Sequence, residues 1–257
     1  MVNINPCVCF FDSGIGGLSL LYECVRKLPR VDFVYFADNH RVPYGNLSHE
    51  ELIERVDGVF SEMNALEPAA AVAACNTVTA ECIAYLREKY PFEIIGIQPA
   101  VKPAAANGNC TVLATAATAN SAALKELTEK YGNGRTRVYA CPDLAAYIEE
   151  NALNPGFDDV VRLLPDVAAE NVVLGCTHYI FVKDIIMKRY NCRVYDGLEG
   201  TAEQLRKKLG ISDHSEPRAQ KISFCGGDTA KNRDIFRRML MYGGTLSQKV
   251  QNQHKKI

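Results

Sequence analysis

Short apolar runs alternate with longer amphipathic stretches along most of the chain. The apolar run at residues 7–11 leads into a glycine-rich turn, and in Leu18–Lys27 the apolar positions recur every three or four residues. A short continuous apolar run such as 7–11 is typical of a buried strand. Apolar positions that recur every three or four residues are typical of a helix with one face on a sheet. The pattern predicts repeated βα units and therefore an α/β fold with a parallel sheet.

The N-terminal half continues in the same way. A strand is predicted at residues 33–36, and Ser48 is predicted to cap a helix that ends near Asn64. Glu51 follows Ser48 by three positions, which is the spacing of a capping box with reciprocal side-chain and backbone hydrogen bonds. The other elements predicted in this half are a strand leading to Cys75, a helix at 79–89 and a strand at 93–97.

The βα pattern restarts after residues 99–108, a segment with two prolines and an Asn-Gly pair. Prolines and an Asn-Gly pair interrupt helices and strands, so we predict a crossing between two domains here. The elements predicted beyond it are strands at 111–114, 137–140, 172–175 and 221–225, helices at 122–130 and 232–242, and a turn at 116–121.

These elements predict two doubly wound α/β lobes related by pseudo-symmetry, with the active site in the cleft between them. The first lobe is predicted to contain residues 1–98 plus 211–257 and to carry Cys75. The second lobe is predicted to contain residues 99–210 and to carry Cys176. The last predicted strand and helix would complete the first lobe, so that the second lobe is an insertion into it.

Composition and charge narrow the choice of partners. The 257 residues are 47% hydrophobic and 23% charged, which is typical of globular proteins, and the formal net charge is −1. No run of five like charges occurs, so the sequence predicts no nucleic-acid-binding face. It shows neither a basic and apolar leader nor an apolar run near 20 residues, which predicts no membrane partner and a cytoplasmic location.

The ten cysteines do not predict a disulfide framework, because the chain is too long and too rich in βα patterns for a disulfide-stapled fold. Neither a CxxC pair nor a Cys/His array with zinc spacing occurs, so no metal site is predicted. We expect reduced thiols, which proton transfer by a thiol requires.

Two of these cysteines occupy matching settings 101 positions apart. Cys75 follows the apolar run Ala-Val-Ala-Ala, and Cys176 follows Val-Val-Leu-Gly. Each thiol is expected at the C-terminal end of a buried strand, where open α/β sheets bind their ligands. Buried cysteine is also an ordinary core residue. The matched pair, however, favours a reaction with one acid/base group on each face of a small substrate.

The residues beside the two thiols are polar. Asn76-Thr77 follows the first cysteine and Thr177-His178 the second, at predicted helix starts. Backbone N–H groups at a helix start are expected to favour a thiolate and to bind a carboxylate. His178 is expected to orient or protonate a group beside Cys176, although an isolated histidine is more often a structural hydrogen-bonding residue.

The turn Asp12-Ser-Gly-Ile-Gly-Gly17 lies between a predicted strand and helix. It is not a dinucleotide fingerprint, because Ser19 occupies the third glycine position, and no Gly-Lys-Ser/Thr of a phosphate-binding loop follows. The turn is either a tight βα connection or a carboxylate site. In the second interpretation Ser13 and backbone amides bind the carboxylate, and Asp12 faces the substrate ammonium or a thiol.

Four motifs occur in order along the chain: Asp12-Ser-Gly-x-Gly-Gly, Ala37-Asp38 with Pro43-Tyr-Gly45, Ala74-Cys-Asn-Thr77 and Gly175-Cys-Thr-His178. Together they resemble the motifs of the cofactor-independent glutamate racemases, of the aspartate/glutamate racemase superfamily. The resemblance spans residues 8–230, and Cys141-Pro142 with Glu149 also resembles a segment near the family's active site. The chain departs from the family pattern at Ala117, Leu124, Ile180 and Asp196-Gly197.

The resemblance implies a racemase that needs no cofactor, uses glutamate as its small-molecule substrate and supplies D-glutamate for peptidoglycan. It implies that Cys75 deprotonates the D-enantiomer with help from Asp12. Cys176 would deprotonate the L-enantiomer with help from His178 and Glu149. A homodimer is a further possibility. The substrate-binding residues that the resemblance implies are Asp12, Ser13, Pro43, Tyr44, Gly45, Asn76, Thr77, Thr118, Thr177 and His178.

The chemistry of inversion explains the need for two thiols. One group must remove the weakly acidic α-proton while another delivers a proton to the opposite face, so one sulfur is a thiolate while its partner is a thiol. A free cysteine has a pKa of about 8.5, which makes both forms accessible near neutral pH. For both sulfurs to reach the α-carbon they should lie roughly 6–7 Å apart, beyond disulfide length. No lysine lies in a recognisable pyridoxal-phosphate motif, which favours the cofactor-free route.

Three alternatives stay open at this point. A sister racemase acting on aspartate is disfavoured by His178, since relatives with that specificity tend to carry a glutamate there. A cysteine hydrolase would use only one thiol, as a nucleophile. A non-catalytic small-ligand-binding protein on the same fold would not need both thiols.

Overall fold

The computed structural model describes residues 7–211 and 219–243, and within them nine strands form two parallel sheets. The strands are β1 Cys7–Asp12, β2 Asp32–Ala37, β3 Ala70–Ala73, β4 Glu93–Gly96, β5 Cys110–Ala114, β6 Thr136–Ala140, β7 Asn171–Gly175, β8 Arg193–Tyr195 and β9 Ile222–Cys225. The helices are α1 Leu18–Lys27, α2 His49–Asn64, α3 Asn76–Lys89, α4 Val101–Ala105, α5 Ala116–Asn120, α6 Ala122–Tyr131, α7 Leu144–Asn151, α8 Phe157–Arg162, α9 Lys183–Tyr190, α10 Leu198–Lys208 and α11 Thr229–Tyr242.

The two sheets share one topology. The first has the strand order β4-β3-β1-β2-β9 and the second the order β6-β5-β7-β8, with every pairing parallel. Read in the opposite direction, the second sheet repeats the first four strands of the first sheet. Strand β7 is therefore the counterpart of β3, and the prediction of two related α/β lobes is confirmed. Strand β9 extends the first sheet beyond β2.

Local sequence signals fix several of these elements. Ser48 accepts a hydrogen bond from the backbone of Glu51, whose side chain accepts one from the backbone of Ser48, so the predicted capping box is present. Helix α1 buries Leu18, Leu21 and Cys24 on one face, as its spacing predicts. Both elements form where the sequence places them because caps and amphipathic spacing act locally.

The prediction of a turn at 116–121 was wrong, and the predicted crossing segment contains a short helix that was not predicted. Residues 116–121, predicted as a turn, contain helix α5, which Thr115 caps by accepting a hydrogen bond from the backbone of Thr118. Part of the predicted crossing at 99–103 begins helix α4, whose first residue Val101 is wholly buried. Helix α4 buries Val101, Ala104 and Ala105 and packs on β5 and β7, whereas α5 buries Thr118 and packs mainly on α3 and α6. These tertiary contacts, rather than local propensity, stabilise such short helices. The sequence interpretation also did not identify α7, α8, α9, α10 or β8.

The chain passes from one sheet to the other at Ile97–Ala100 and returns at Asp196–Gly197. Helix α10, which follows Gly197, packs against α1 and β4 of the first sheet. We therefore propose that the second lobe ends near residue 197 rather than at 210. The first-lobe residues predicted at 1–6, 212–218 and 244–257 lie outside the described residues.

The lobes pack directly on each other. One apolar cluster includes Leu18 and Leu21 of the first lobe together with Leu144, Leu174 and Tyr179 of the second. The turns after β1 and β3 of the first sheet contact those after β7 and β5 of the second. Of the helices in the described part of the chain, none has the length and apolar character needed to cross a membrane.

Candidate active site

The two cysteines lie at equivalent strand ends. Cys75 follows β3 and is the N-cap of α3, and Cys176 follows β7 and precedes the 3₁₀ helix Thr177–Val182. Both residues are almost completely buried, with exposed fractions of 5% and 6%. Cys176 is close enough for its charge to raise the pKa of Cys75. The predicted sulfur separation of about 6–7 Å stays a prediction.

Cys75 lies in an apolar and acidic environment. Its sulfur is 3.8 Å from the Oγ of Ser13. Burial raises the pKa of the Cys75 thiol, and the nearby charge of Asp12 raises it further, to about 12. A hydrogen bond from the backbone of Val78 at the start of α3 acts in the opposite direction but is outweighed. The helix start therefore acts in the expected direction, but burial and the charge of Asp12 outweigh it and favour the neutral thiol at Cys75.

Cys176 has a cationic neighbour. The Nδ1 of His178 is 3.9 Å from the sulfur, and its Nε2 is 2.8 Å from the Oε2 of Glu149. Burial alone would lower the pKa of His178, but the hydrogen bonds to Cys176 and Glu149 raise it well above its ordinary value. The resulting imidazolium is positioned to stabilise a negative sulfur. The two thiols thus have the same place in the fold and opposite electrostatic surroundings.

Glu149 connects the lobes behind His178. Its Oε2 accepts a hydrogen bond from the backbone N–H of Ile15 at 2.9 Å, and its Oε1 accepts one from Asn39 at 2.7 Å and one from Lys231 at 3.1 Å. Burial would raise the pKa of Glu149, but the hydrogen bond and charge of His178 outweigh burial and lower it to about 2. The carboxylate is therefore ionised and paired.

The turn after β1 touches the second lobe. Asp12 accepts a hydrogen bond from Gly14 N at 2.9 Å and one from the hydroxyl of Thr177 at 3.0 Å. Burial raises the pKa of Asp12, while the charge of His178 opposes this rise. A Cβ on Gly16 would lie 2.5 Å from the Oγ1 of Thr177 and 2.6 Å from the Nδ1 of His178. Glycine therefore permits this close approach of the lobes.

Three hydroxyl groups meet on the other side of the cleft. The Oγ1 of Thr77 is 3.0 Å from that of Thr115 and 3.3 Å from that of Thr118. Gly45 packs against Thr115, with a hypothetical Cβ 2.6 Å from the threonine Cβ. The Nδ2 of buried Asn76 has no hydrogen-bond partner among the described residues. A buried amide without a partner is costly, so this donor is available for a ligand.

Tyr44 closes the first-lobe side of this region. Pro43 is the N-cap of the 3₁₀ turn Tyr44–Asn46, and the buried tyrosine donates a hydrogen bond to the Oδ2 of Asp38 at 2.8 Å. Its ring shares an apolar cluster with Cys75. The predicted residues that this cleft brings together are Asp12, Ser13, Pro43, Tyr44, Gly45, Cys75, Asn76, Thr77, Thr118, Glu149, Cys176, Thr177 and His178.

Sequence reasoning missed three residues of the site. Thr115 follows β5 as Ser13 and its turn follow β1, so the repeat of the two halves was a usable signal. Asn39 and Lys231 reach Glu149 from a loop and from α11. They belong to no motif, and only the folded arrangement brings them to the carboxylate.

Comparison with known proteins gives one consistent result. The family model for Asp/Glu/hydantoin racemases matches residues 18–205. A glutamate racemase of Clostridium acetobutylicum is 38% identical over 227 residues, covering 82% of this chain and 87% of the relative. A glutamate racemase of Clostridium perfringens is 36% identical over 219 residues, covering 80% and 84%.

A solved structure leads to the same family. Escherichia coli glutamate racemase, in complex with L-glutamate and the activator UDP-MurNAc-Ala, superposes with a TM-score of 0.78 at 27% identity. The superposition covers 95% of this chain and 97% of the other. These matches confirm the resemblance carried by the four motifs and the α/β fold of two lobes. The chain therefore belongs to the Asp/Glu/hydantoin racemase family.

Proposed function

We propose that this chain interconverts L- and D-glutamate without a cofactor, by proton transfer between the substrate α-carbon and two cysteines. The observation that carries the proposal is the unequal pair of strand-end thiols. Cys75 is held as a neutral thiol, and Cys176 lies beside the His178 cation. A two-base racemase needs this combination of one proton donor and one proton acceptor.

In the L-to-D direction the thiolate of Cys176 removes the α-proton, and the thiol of Cys75 delivers its proton to the opposite face. The carbanion formed between the two steps keeps both electrons of the broken C–H bond until the new C–H bond forms. At the end Cys176 is a thiol and Cys75 a thiolate. In the D-to-L direction the same two sulfurs exchange roles.

Polar groups around the thiols would hold the substrate. The amide of Asn76 is buried without a partner among the described residues, and the hydroxyl groups of Ser13 and Thr177 lie beside the two thiols. These donors suit a carboxylate. The buried carboxylate of Asp12 suits the substrate ammonium. The Thr77, Thr115 and Thr118 hydroxyl groups supply a second set of donors for the side-chain carboxylate.

Glutamate is the preferred substrate because the relatives that cover most of this chain are glutamate racemases and the E. coli structure binds L-glutamate. We also propose that the product supplies D-glutamate for peptidoglycan synthesis in the cytoplasm. A homodimer stays a prediction.

The decisive experiment combines optical rotation with α-hydrogen exchange. Reduced protein is incubated in deuterated water, without added cofactor, with L-glutamate and in parallel with L-aspartate. We expect rotation to fall to zero and deuterium to enter the α-position of glutamate but not of aspartate. Exchange with aspartate alone would instead assign a sister racemase, and folded protein with free thiols that exchanges neither would reject the proposal.

A further inference from the structure

A lysine from the last described helix reaches the carboxylate behind His178. The Nζ of Lys231, on α11, donates to the backbone carbonyl oxygen of Glu149 at 2.6 Å and lies 3.1 Å from the Oε1 of the same residue. The lysine side chain is one-third exposed, while the Glu149 side chain is buried. The lysine thus contacts both the backbone and the carboxylate of Glu149, which holds the side chain relative to its own helix.

The two oxygens of Glu149 have separate sets of partners. Oε2 accepts from His178 and from Ile15 N, whereas Oε1 accepts from Asn39 and Lys231. The Oε2 partners face the cleft, and the Oε1 partners come from the loop after β2 and from α11. Because the two oxygens belong to one rigid carboxylate, the hydrogen bonds to Oε1 also help to orient Oε2, which binds His178.

The start of α11 is itself held in place. Asn232 donates to the Oδ1 of Asn39 at 2.9 Å, and the backbone N–H of Asp228 donates to the same oxygen at 3.1 Å. The Oδ1 of Asp228 accepts from the backbone N–H of Lys231 at 2.9 Å and caps the helix. Lys231 thus projects toward Glu149 from a fixed helix start rather than from a free loop.

We propose that Lys231 is a positioning residue for the Cys176 side of the reaction, acting through Glu149 on the orientation and charge of His178. The inference rests on the proposed function. None of the family motifs contains this lysine, which lies 53 positions beyond His178 in a different lobe. It makes the proton chemistry of one lobe depend on a helix of the other.

The charged groups around Glu149 and His178 determine whether replacing Lys231 raises or lowers the pKa of His178. His178 faces Glu149, Cys176 and the buried carboxylate of Asp12. Asp234 and Glu150 line the surface hollow beside Lys231. Replacing Lys231 with a neutral residue removes a cation from a mainly acidic group of side chains. The proton on His178 is then bound more tightly, because the carboxylate that faces it has lost a counter-charge.

The kinetic signature follows from the equilibrium constant. Racemisation has an equilibrium constant of one, so kcat/KM must stay equal in the two directions whatever the substitution. A change on the Cys176 side therefore alters kcat/KM by the same factor in both directions, whereas kcat and KM change by different factors in each direction, and the pH at which activity is lost also shifts. We expect Lys231→Met to lower kcat roughly tenfold and to move the alkaline limb of kcat/KM upward by roughly half a pH unit.

The test compares Lys231→Met, Lys231→Gln and Lys231→Arg with Arg238→Met as the matched control. Arg238 lies on the same helix and pairs with Asp234 at the surface, so its loss should leave kcat and the pH profile unchanged. Lys231→Arg keeps the positive charge and should therefore retain a kcat and a pH profile close to those of the wild-type protein. Thermal unfolding checks that each variant is folded, and Lys231→Gln provides the same pH comparison if the methionine variant does not fold.

A readout without turnover separates the inference from the proposed function. The imidazole of His178, assigned in NMR spectra with His178→Asn, should titrate at higher pH in Lys231→Gln than in the wild-type protein. If the wild type racemises but the Lys231 variants match the control in kcat, pH limb and titration, the inference is wrong. A loss of activity with an unchanged pH limb would show only a structural role. An inactive wild type would reject the proposed function itself.

Discussion

The two strand-end cysteines show how one residue type acquires two roles from its surroundings. Burial and the charge of Asp12 keep Cys75 protonated, with a pKa near 12, and the His178 cation lies beside Cys176. The raised pKa of Cys75 and the cation beside Cys176 give the two thiols different surroundings, as a pair of opposite acid/base roles requires. In the D-to-L direction Cys75 must be deprotonated, so interactions with the bound substrate must offset the free energy of forming a thiolate there.

Replacing either cysteine should stop turnover. Serine is a far weaker acid than cysteine, so Cys75→Ser and Cys176→Ser should each lower kcat by at least about a thousandfold. Polarimetry with each enantiomer measures the loss. Cys192→Ser, at a half-buried thiol after α9, is the control and should keep wild-type turnover. Retained racemisation in either of the first two variants would reject the two-base assignment.

Glu149 should make the free energy of unfolding depend on pH in the acidic range. Its pKa in the folded state is about 2, against an ordinary value of 4.5. A depressed pKa contributes stability that is complete above about 4.5 and is lost as the pH falls toward 2. This pKa shift corresponds to a contribution of about 3 kcal/mol to the free energy of unfolding.

Glu149→Gln should remove much of this pH dependence while lowering stability at pH 7 and kcat together. Urea unfolding between pH 2 and pH 7 measures the effect. Glu150→Gln, at the neighbouring position on α7, is the matched control. Parallel unfolding profiles for wild type and Glu149→Gln would contradict the prediction.

At the scale of single elements, the sequence predicted most of the first lobe. The capping box of α2 and the spacing of apolar residues in α1 depend on residues close together in the chain, so they can be predicted without knowledge of the fold. The single-turn helices α4 and α5 were missed because their stability comes from tertiary contacts, with β5 and β7 for α4 and mainly with α3 and α6 for α5. Helix α10 has a polar face and an internal glycine, and only contact with α1 and β4 explains it.

The turn between β1 and α1 should not tolerate a methyl group at Gly16. A Cβ there meets Thr177 and His178 at contact distances of 2.5–2.8 Å, so Gly16→Ala must push the lobes apart. We expect a loss of roughly 1–3 kcal/mol in stability. A displacement near 1 Å at His178 should also lower kcat about a hundredfold.

The matched control is Gly58→Ala in α2, where a Cβ would meet nothing within 4 Å. Alanine at this helical position should instead raise the free energy of unfolding by about 0.4–1 kcal/mol. Thermal unfolding and steady-state kinetics of the two variants give the comparison. Equal behaviour of the two alanine variants would show that the lobes do not approach each other as closely as described.

At the scale of the whole molecule, hydrogen bonds across the cleft join the two lobes. Asp12 and Thr177 form one such bond, and Glu149 is held by Ile15, Asn39 and Lys231 of the other lobe. The sequence predicted the residues at strand ends, because parallel strands bring their carboxyl ends to one edge. It could not predict partners that meet only when the lobes pack, since no local pattern encodes them.

The two chain crossings between the lobes should be sensitive to side-chain size. Gly197, at the return crossing, lies so close to the carbonyl oxygen of Gln98 that a Cβ would overlap it. We expect Gly197→Ala to change the relative position of the lobes, with KM raised several-fold and a lower melting temperature. Gly200→Ala in α10, where a Cβ meets nothing within 4 Å, should leave KM unchanged and should not lower the melting temperature. An unaffected KM in Gly197→Ala would contradict the expectation.

The position of β9 has a consequence for synthesis on the ribosome. Strand β9 pairs with β2, yet the whole second lobe is translated between them. A nascent chain that has just passed residue 210 already carries both cysteines but leaves the edge of β2 without its neighbour. Lys231 has not yet been made. Unpaired edges are where extended chains associate wrongly. We therefore expect a translation pause before β9 emerges to raise aggregation of the nascent chain, because the edge of β2 is unpaired during that interval.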